Sequence, residues 1–302
     1  MRPSGPDDDP EERRRRARPW RWQIGDLRRP GDAVARKEEL IRAFARAVGP
    51  ITDYIAGPDM GTDERCMGWV KDEIGRAVGL PREIGGIPLD EIGATGFGLA
   101  VAAEATEAYC DVRLKSARVA IQGFSVVERH AARFLTERGA ILVAASDSRG
   151  SIANPGGIDV AALTAVKAEG GYVTDLGRGW TGPREAVIEA DCDILIPAAR
   201  PDVITEGNAE RIRARLIIEG ANIPATARAE ESQHRRGVMV VPDFIANAGG
   251  VISAAVEYHQ GSEPQALAAI EDKIRRNTAE VLSRARAEAT TPRGAATAMA
   301  TE

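Results

Sequence analysis

Arg118-Val119-Ala120-Ile121-Gln122-Gly123-Phe124-Ser125-Val126-Val127-Glu128, running on into a helical stretch over residues 129–138, decides how this chain is read. A short apolar run that stops at a glycine and passes directly into a helical pattern is a strand, a tight turn and a helix start. That geometry aims the free N–H groups of the helix N-terminus at the end of the strand, where a phosphate can be received. Gly123 supplies the turn. The positions where such a turn usually carries its second and third glycines hold Ser125 and Glu128. A carboxylate at the third position repels a phosphate unless it points to solvent.

The same rhythm repeats outward. Ile141-Leu142-Val143-Ala144, Ile194-Leu195-Ile196, Leu216-Ile217-Ile218 and Val238-Met239-Val240-Val241 are continuous apolar runs separated by helical stretches. Such runs belong to a parallel sheet buried on both faces, and right-handed crossovers make it an α/β doubly wound sheet. Asp147 ends the second strand, about twenty residues past the glycine turn. An acid there bonds both hydroxyls of an adenosine ribose and disfavours an extra phosphate on it. Ser146-Asp147-Ser148 equally reads as a polar loop capping a helix.

Upstream, Leu40, Ile41, Phe44 and Val48 form one helical stripe that begins near Lys37 and stops at Gly49-Pro50. A second helix is predicted over residues 63–78, with Met67, Val70 and Ile74 inward. Gly93-Ala94-Thr95-Gly96-Phe97-Gly98 opens a third, reaching about Tyr109. Downstream, a long helix is predicted from Glu263 to Ala287, with Ala266, Leu267, Ile270, Ile274, Val281 and Leu282 as its buried stripe. The expected division is a disordered charged tail (1–36), a helical remnant of a second domain (37–94), a nucleotide-binding domain (95–262) and a C-terminal helix and tail (263–302).

Composition sets the outer bounds. With 302 residues, 43% hydrophobic and 28% charged, the chain is globular in type, and its formal net charge of −5 gives no push toward nucleic acid. No apolar run approaches the roughly 20 residues of a membrane span. The Asp7–Glu12 cluster beside Arg13–Arg16 lacks the apolar core of an export signal, and reads as a solvated charge run. Cys66, Cys110 and Cys192 have no metal-ligand spacing and read as reduced thiols of a cytoplasmic protein; no metal site is expected. His130, His234 and His259 have no partner motif that points to catalysis.

Several motifs, taken together, carry a resemblance: Gly57-Pro58-Asp59-Met60-Gly61-Thr62, Ala94-Thr95-Gly96, Val119–Phe124, Ala144–Ser148, Asp191–Ala199, Glu219-Gly220-Ala221-Asn222 and Asn247-Ala248-Gly249-Gly250-Val251. In this order they resemble the glutamate/leucine/phenylalanine/valine dehydrogenase family, and its glutamate dehydrogenases most. The resemblance implies a Rossmann-like fold that binds NAD. It implies oxidative deamination of a glutamate-like L-amino acid to a 2-oxo acid and ammonia, in a homo-oligomer. By the same resemblance Asp59 shuttles protons. Thr95 and Asn222 meet the nicotinamide end, and Gly123, Phe124, Ser125 and Val126 lie under the pyrophosphate. Asp147 holds the ribose, Ala198 and Ala199 line the adenosine side, and Asn247 faces the substrate. A serine of glutamate-specific members falls on Ala254, with Ser253 as its neighbour and possible substitute.

The sequence departs from the pattern at one point of consequence. The family's catalytic lysine stands in a glycine-rich segment, whereas Lys37, Lys71, Lys115, Lys167 and Lys273 all lie elsewhere. Most of the N-terminal substrate domain is therefore expected to be missing. The alternative reading is a non-catalytic nucleotide-binding remnant that associates with a full-length homologue. Either way, the helices before residue 78 are expected to expose apolar faces.

Overall fold

A computed structural model describes residues 30–59 and 61–302. The first helix, α1 (Pro30–Val48), starts seven residues before the expected Lys37, so residues 30–36 are helical and not part of a disordered tail. A proline at the first helical position has no N–H of its own to leave unpaired, and Ala33, Ala35 and Arg36 are strong helix formers. The rest of the expected tail, residues 1–29, lies outside the described residues. In α2 (Glu64–Ile74), Asp63 accepts from the Cys66 N–H at 3.0 Å and Gly75 closes the helix at φ 76°. That left-handed glycine ends it four residues before the expected Val78. Cys66, Met67 and Val70 of α2 pack with Ala45, Ala56, Ala77 and Leu80 in a small core of their own. Leu40 and Phe44 of the apolar stripe on α1 are exposed, as expected of the helices before residue 78.

The short α3 (Leu89–Ile92) and α4 (Ala94–Ala105) lead to the sheet. The remaining elements follow in order: β1 (Arg118–Gln122), α5 (Val126–Glu137), β2 (Ile141–Ser146), β3 (Ser151–Ala153), α6 (Val160–Ala168), β4 (Trp180–Gly182), β5 (Ile194–Pro197), β6 (Leu216–Ile218), α7 (Ala227–Arg235), β7 (Met239–Val241), α8 (Asp243–Ala246), α9 (Gly249–Tyr258), α10 (Glu263–Glu288) and α11 (Pro292–Thr301). Among the described residues the strands form one seven-stranded sheet in the order β4-β3-β2-β1-β5-β6-β7.

All five expected strands are present and parallel, as β1, β2, β5, β6 and β7. The sheet is nonetheless mixed, because β3 and β4 add to its edge antiparallel. Asp147 causes the reversal: its N–H donates to the Gly150 carbonyl at 2.9 Å while its Oδ1 accepts from the Arg149 N–H at 2.9 Å. Neither Ser151-Ile152-Ala153 nor Trp180-Thr181-Gly182 is a continuous apolar run, so the edge gives no strand signal in sequence.

Each face of the sheet is covered. Val119, Ile121, Leu142, Ile194, Ile196, Leu216, Ile218 and Val241 point into the larger core, with α4, α5 and α10 above them. Ala120, Val143, Leu195, Ile217 and Val240 point the other way, toward Ile204, Ile212 and Ala229. The predicted stripe of α10 is buried at Ala266, Ile270, Ile274, Val281 and Leu282. The expected C-terminal tail is instead helix α11, started by Thr291, whose hydroxyl accepts from the Gly294 N–H at 3.0 Å, and by Pro292 in the first turn.

Candidate functional site

The chain leaves β1 in one direction to build β2 and in the other to build β5, so a crevice opens at the carboxyl ends of these strands. Gly123 turns the chain there at φ 103°, and a Cβ on it would meet Glu128 Oε1 at 2.7 Å and Ala199 Cβ at 3.1 Å. Glu128 does not point to solvent. It is 4% exposed and reaches back along α5 to accept the Ser125 N–H at 2.7 Å, the carboxylate half of a capping box. Burial raises the Glu128 carboxyl above its ordinary range, against the pull of the backbone N–H groups. One of the donors that would face a phosphate is thus already used within the chain. Phe124 is a core side chain, and Ser125 is exposed beside the half-buried Val126.

Four cations surround this turn. The crevice, about 550 Å³, is lined by Arg129, Lys167, Arg184 and Arg200 against Glu128 and Asp147, with Gln122, Ser146 and Ala199 at its base. Asp147 is held rather than free. Its Oδ2 accepts from Lys167 Nζ and from the Val173 N–H, each at 2.8 Å, and its side chain is 7% exposed. Burial raises its carboxyl, but Lys167 and the N–H donors outweigh that and hold it below the usual range. Gln122 Oε1 accepts the Ala199 N–H at 3.0 Å and Ser146 Oγ accepts the Gly123 N–H at 3.3 Å. These two polar ends of buried strands fix the glycine turn to its neighbours.

A second group of residues converges farther along the strand ends. A Cβ on Gly249 would meet the Ala94 carbonyl oxygen at 2.1 Å, and one on Gly250 would meet Thr95 Oγ1 at 3.1 Å. The glycines of Asn247–Val251 are therefore there so that α9 can press onto the start of α4. Asn247 Nδ2 donates to Asn222 Oδ1 at 2.8 Å and to the Gly220 carbonyl at 3.3 Å. A Cβ on Gly220 would meet Ala198 Cβ at 2.8 Å, which places Ala198 between the two groups. Thr95, Ala198, Asn222 and Asn247, far apart in sequence, thus sit along one rim.

Other expected site residues stand elsewhere. Ser253 is fully buried in α9, its Oγ without a hydrogen-bond partner, so it is not presented to the crevice; Ala254 is half-buried. Asp59 lies in an exposed turn closed by the Thr62 hydroxyl, which accepts the Asp59 N–H at 2.8 Å. That turn rests on Gly79, where a Cβ would meet Pro58 Cδ at 2.4 Å, and the Glu257 carboxylate of α9 accepts the Gly79 and Leu80 N–H groups at 2.7 and 3.1 Å. His130 packs on Gly93 and stacks on Phe134; burial lowers its pKa. Gln122, Lys167, Arg184 and Arg200 were missed in the sequence. Only Gln122 gave a signal, as a polar residue closing an apolar strand.

A parallel sheet core with a crevice at its switch point, a glycine turn into a helix and a cationic lining define a Rossmann-like nucleotide-binding fold. The family model described as Glutamate/Leucine/Phenylalanine/Valine dehydrogenase matches residues 85–302, and the chain belongs to that family. It is 38% identical over 264 residues to a glutamate dehydrogenase of Aeropyrum pernix, covering 82% of this chain and 63% of that one. It is 35% identical to the catabolic NAD-specific glutamate dehydrogenase of Bacillus subtilis, covering 74% and 54%. NADP-specific glutamate dehydrogenases match as well. The hetero-hexameric glutamate dehydrogenase of Thermus thermophilus superposes with a TM-score of 0.79 at 26% identity, over 89% of this chain and 67% of that one. The chain thus spans less than two thirds of the length of these curated relatives.

Proposed function

We propose that this chain binds NAD across the carboxyl edge of its sheet and serves the oxidative deamination of a glutamate-like L-amino acid to its 2-oxo acid and ammonia. The observation that carries this reading is the joint placement of the cationic crevice and the Thr95–Asn222–Asn247 rim along one edge. The volume and donor set fit a dinucleotide: Arg129, Arg184 and Arg200 offer charge to the pyrophosphate, and Asp147, which would have to give up a partner to bond the adenosine ribose, stands at the ribose end. When bound, the nicotinamide would take up the hydride from the α-carbon. Asn222 and Asn247 would orient it and the amino acid, and the Asp59 carboxylate would move the proton. Asp147 at this strand end supports NAD over NADP, since an added phosphate would compete with it for Lys167.

A second reading, nucleotide binding without turnover, is favoured by the lysines. Lys167 is committed to Asp147 at 2.8 Å, and none of the five lysines lies among the residues of the Thr95–Asn247 rim. Titration with NADH and NADPH, followed by NADH consumption with ammonia and a panel of 2-oxo acids, separates the two. Binding with turnover that Asp59→Asn abolishes supports the dehydrogenase. Binding without turnover supports the second reading, and no binding of either nucleotide overturns both.

A further inference from the structure

We propose that Arg293 is a positioning residue: from the C-terminal helix α11 it ties together the loops of residues 219–223 and 242–247, and so fixes the nicotinamide end of the crevice without touching the adenosine end. The inference rests on the nucleotide-binding reading above.

The contacts that carry it converge on one guanidinium. Arg293 Nη2 lies 2.6 Å from Glu219 Oε2, Nε 2.5 Å from Glu230 Oε1, and Nη1 2.9 Å from Asp243 Oδ1, with the Phe244 ring 5.6 Å away. Glu219 and Asp243 are buried, 1% and 7% exposed at the side chain. Each of these two carboxylates then holds the backbone of a loop. Glu219 Oε2 accepts the Asp243 N–H at 3.0 Å, and Asp243 Oδ2 accepts the Ile223 N–H at 2.7 Å. The next residue before Ile223 is Asn222, and the Asn247 amide that bonds Asn222 ends the α8 turn begun by Asp243.

The held backbone is strained. Ile223 sits at φ 49°, a left-handed conformation that a β-branched side chain resists, and it is 60% exposed, so packing does not force it there. Its N–H bond to Asp243 and the Asp202 N–H bond to its carbonyl, at 3.0 Å, are what hold it. Three acidic side chains meet at one point here, and a planar guanidinium spreads its donors in a fork that spans all three. A lysine offers one point charge. Without the fork, Asp243 turns from Ile223, and Asn222 leaves its place on the rim.

The test compares two ligands on the full chain. NADH spans both ends of the crevice, whereas ADP-ribose lacks the nicotinamide. Calorimetric titrations of wild type, Arg293→Gln and Arg293→Lys are run beside hydrogen exchange, with circular dichroism to show folding. In Arg293→Gln, NADH weakens by about tenfold, the loss expected for one forfeited polar alignment, while ADP-ribose stays within about twofold. Exchange rises at residues 219–223 and 242–247 and not elsewhere. Arg293→Lys recovers folding but only part of the NADH preference. Equal weakening of both ligands, or exchange unchanged or raised evenly along the chain, overturns the proposal. If wild type binds neither ligand, the nucleotide reading and the nicotinamide assignment fall together, and the exchange pattern alone decides whether Arg293 fixes the two loops. If Arg293→Gln does not fold, Arg293→Lys carries the same comparison.

Discussion

Glu219 shows how one residue can set a pH limit on the whole protein. Burial, with Glu230 and Asp243 adding to it against Arg293, pushes its carboxyl up to about 8. A folded-state pKa above the ordinary carboxyl value means the folded state favours the protonated form. The associated stability is complete at acidic pH below the ordinary value, and is lost as pH rises through about 8. At about 1.4 kcal/mol per pK unit the difference is large on the scale of a domain's stability. Glu219→Gln removes the titration, so the variant should gain on wild type between pH 5 and pH 8 (roughly the window between the two values) in urea melts. Parallel curves for the two proteins would show that Glu219 titrates normally.

At the scale of elements, the Glu128 cap of α5 sets helix stability against ligand access. Glu128→Ala should lose about 0.5–2 kcal/mol of stability, the usual range for a cap. It should also tighten NADH, because the Ser125 N–H is released and a carboxylate leaves the turn. A drop in melting temperature with no gain in NADH affinity would show that the cap does not compete with the ligand. Elements of this kind also mark what sequence could and could not reveal. The five parallel strands were legible as continuous apolar runs between helical stretches, and α10 as a long stripe of helical period. The β3–β4 edge was not, because Ser151–Ala153 and Trp180–Gly182 mix polar and small residues into their strands and its turn is made by Asp147, which the sequence offers as a ribose ligand. The rim of Thr95, Asn222 and Asn247 could be named only through the family resemblance. The Lys167–Asp147 pair and the Arg293 clasp join residues 20 and up to 74 positions apart, and no local pattern announces them.

For the whole molecule, the uneven cover of its helices has a solution consequence. Val34, Leu40, Phe44, Ile51 and Tyr54 are all exposed near one another in sequence, around the small core of residues 45–80. Apolar groups gathered in this way favour association. Light scattering at micromolar concentration should report a mass above that of one chain, and Leu40→Glu with Phe44→Glu should lower it; a monomer in wild type would contradict this. By contrast, α4 is closely covered by α10. A Cβ on Gly98 of α4 would meet Ile274 Cδ1 at 2.6 Å, Arg275 pairs with Glu104 at 2.9 Å, and Tyr109 bonds Ser283 at 2.9 Å. The helix that seals α4 is thus made more than 150 residues after it (171 for Arg275 with Glu104). On a ribosome that adds about 5–20 residues per second, the face of α4 that α10 covers waits several seconds bare. Newly made chains of this protein are natural clients for chaperones until α10 has emerged.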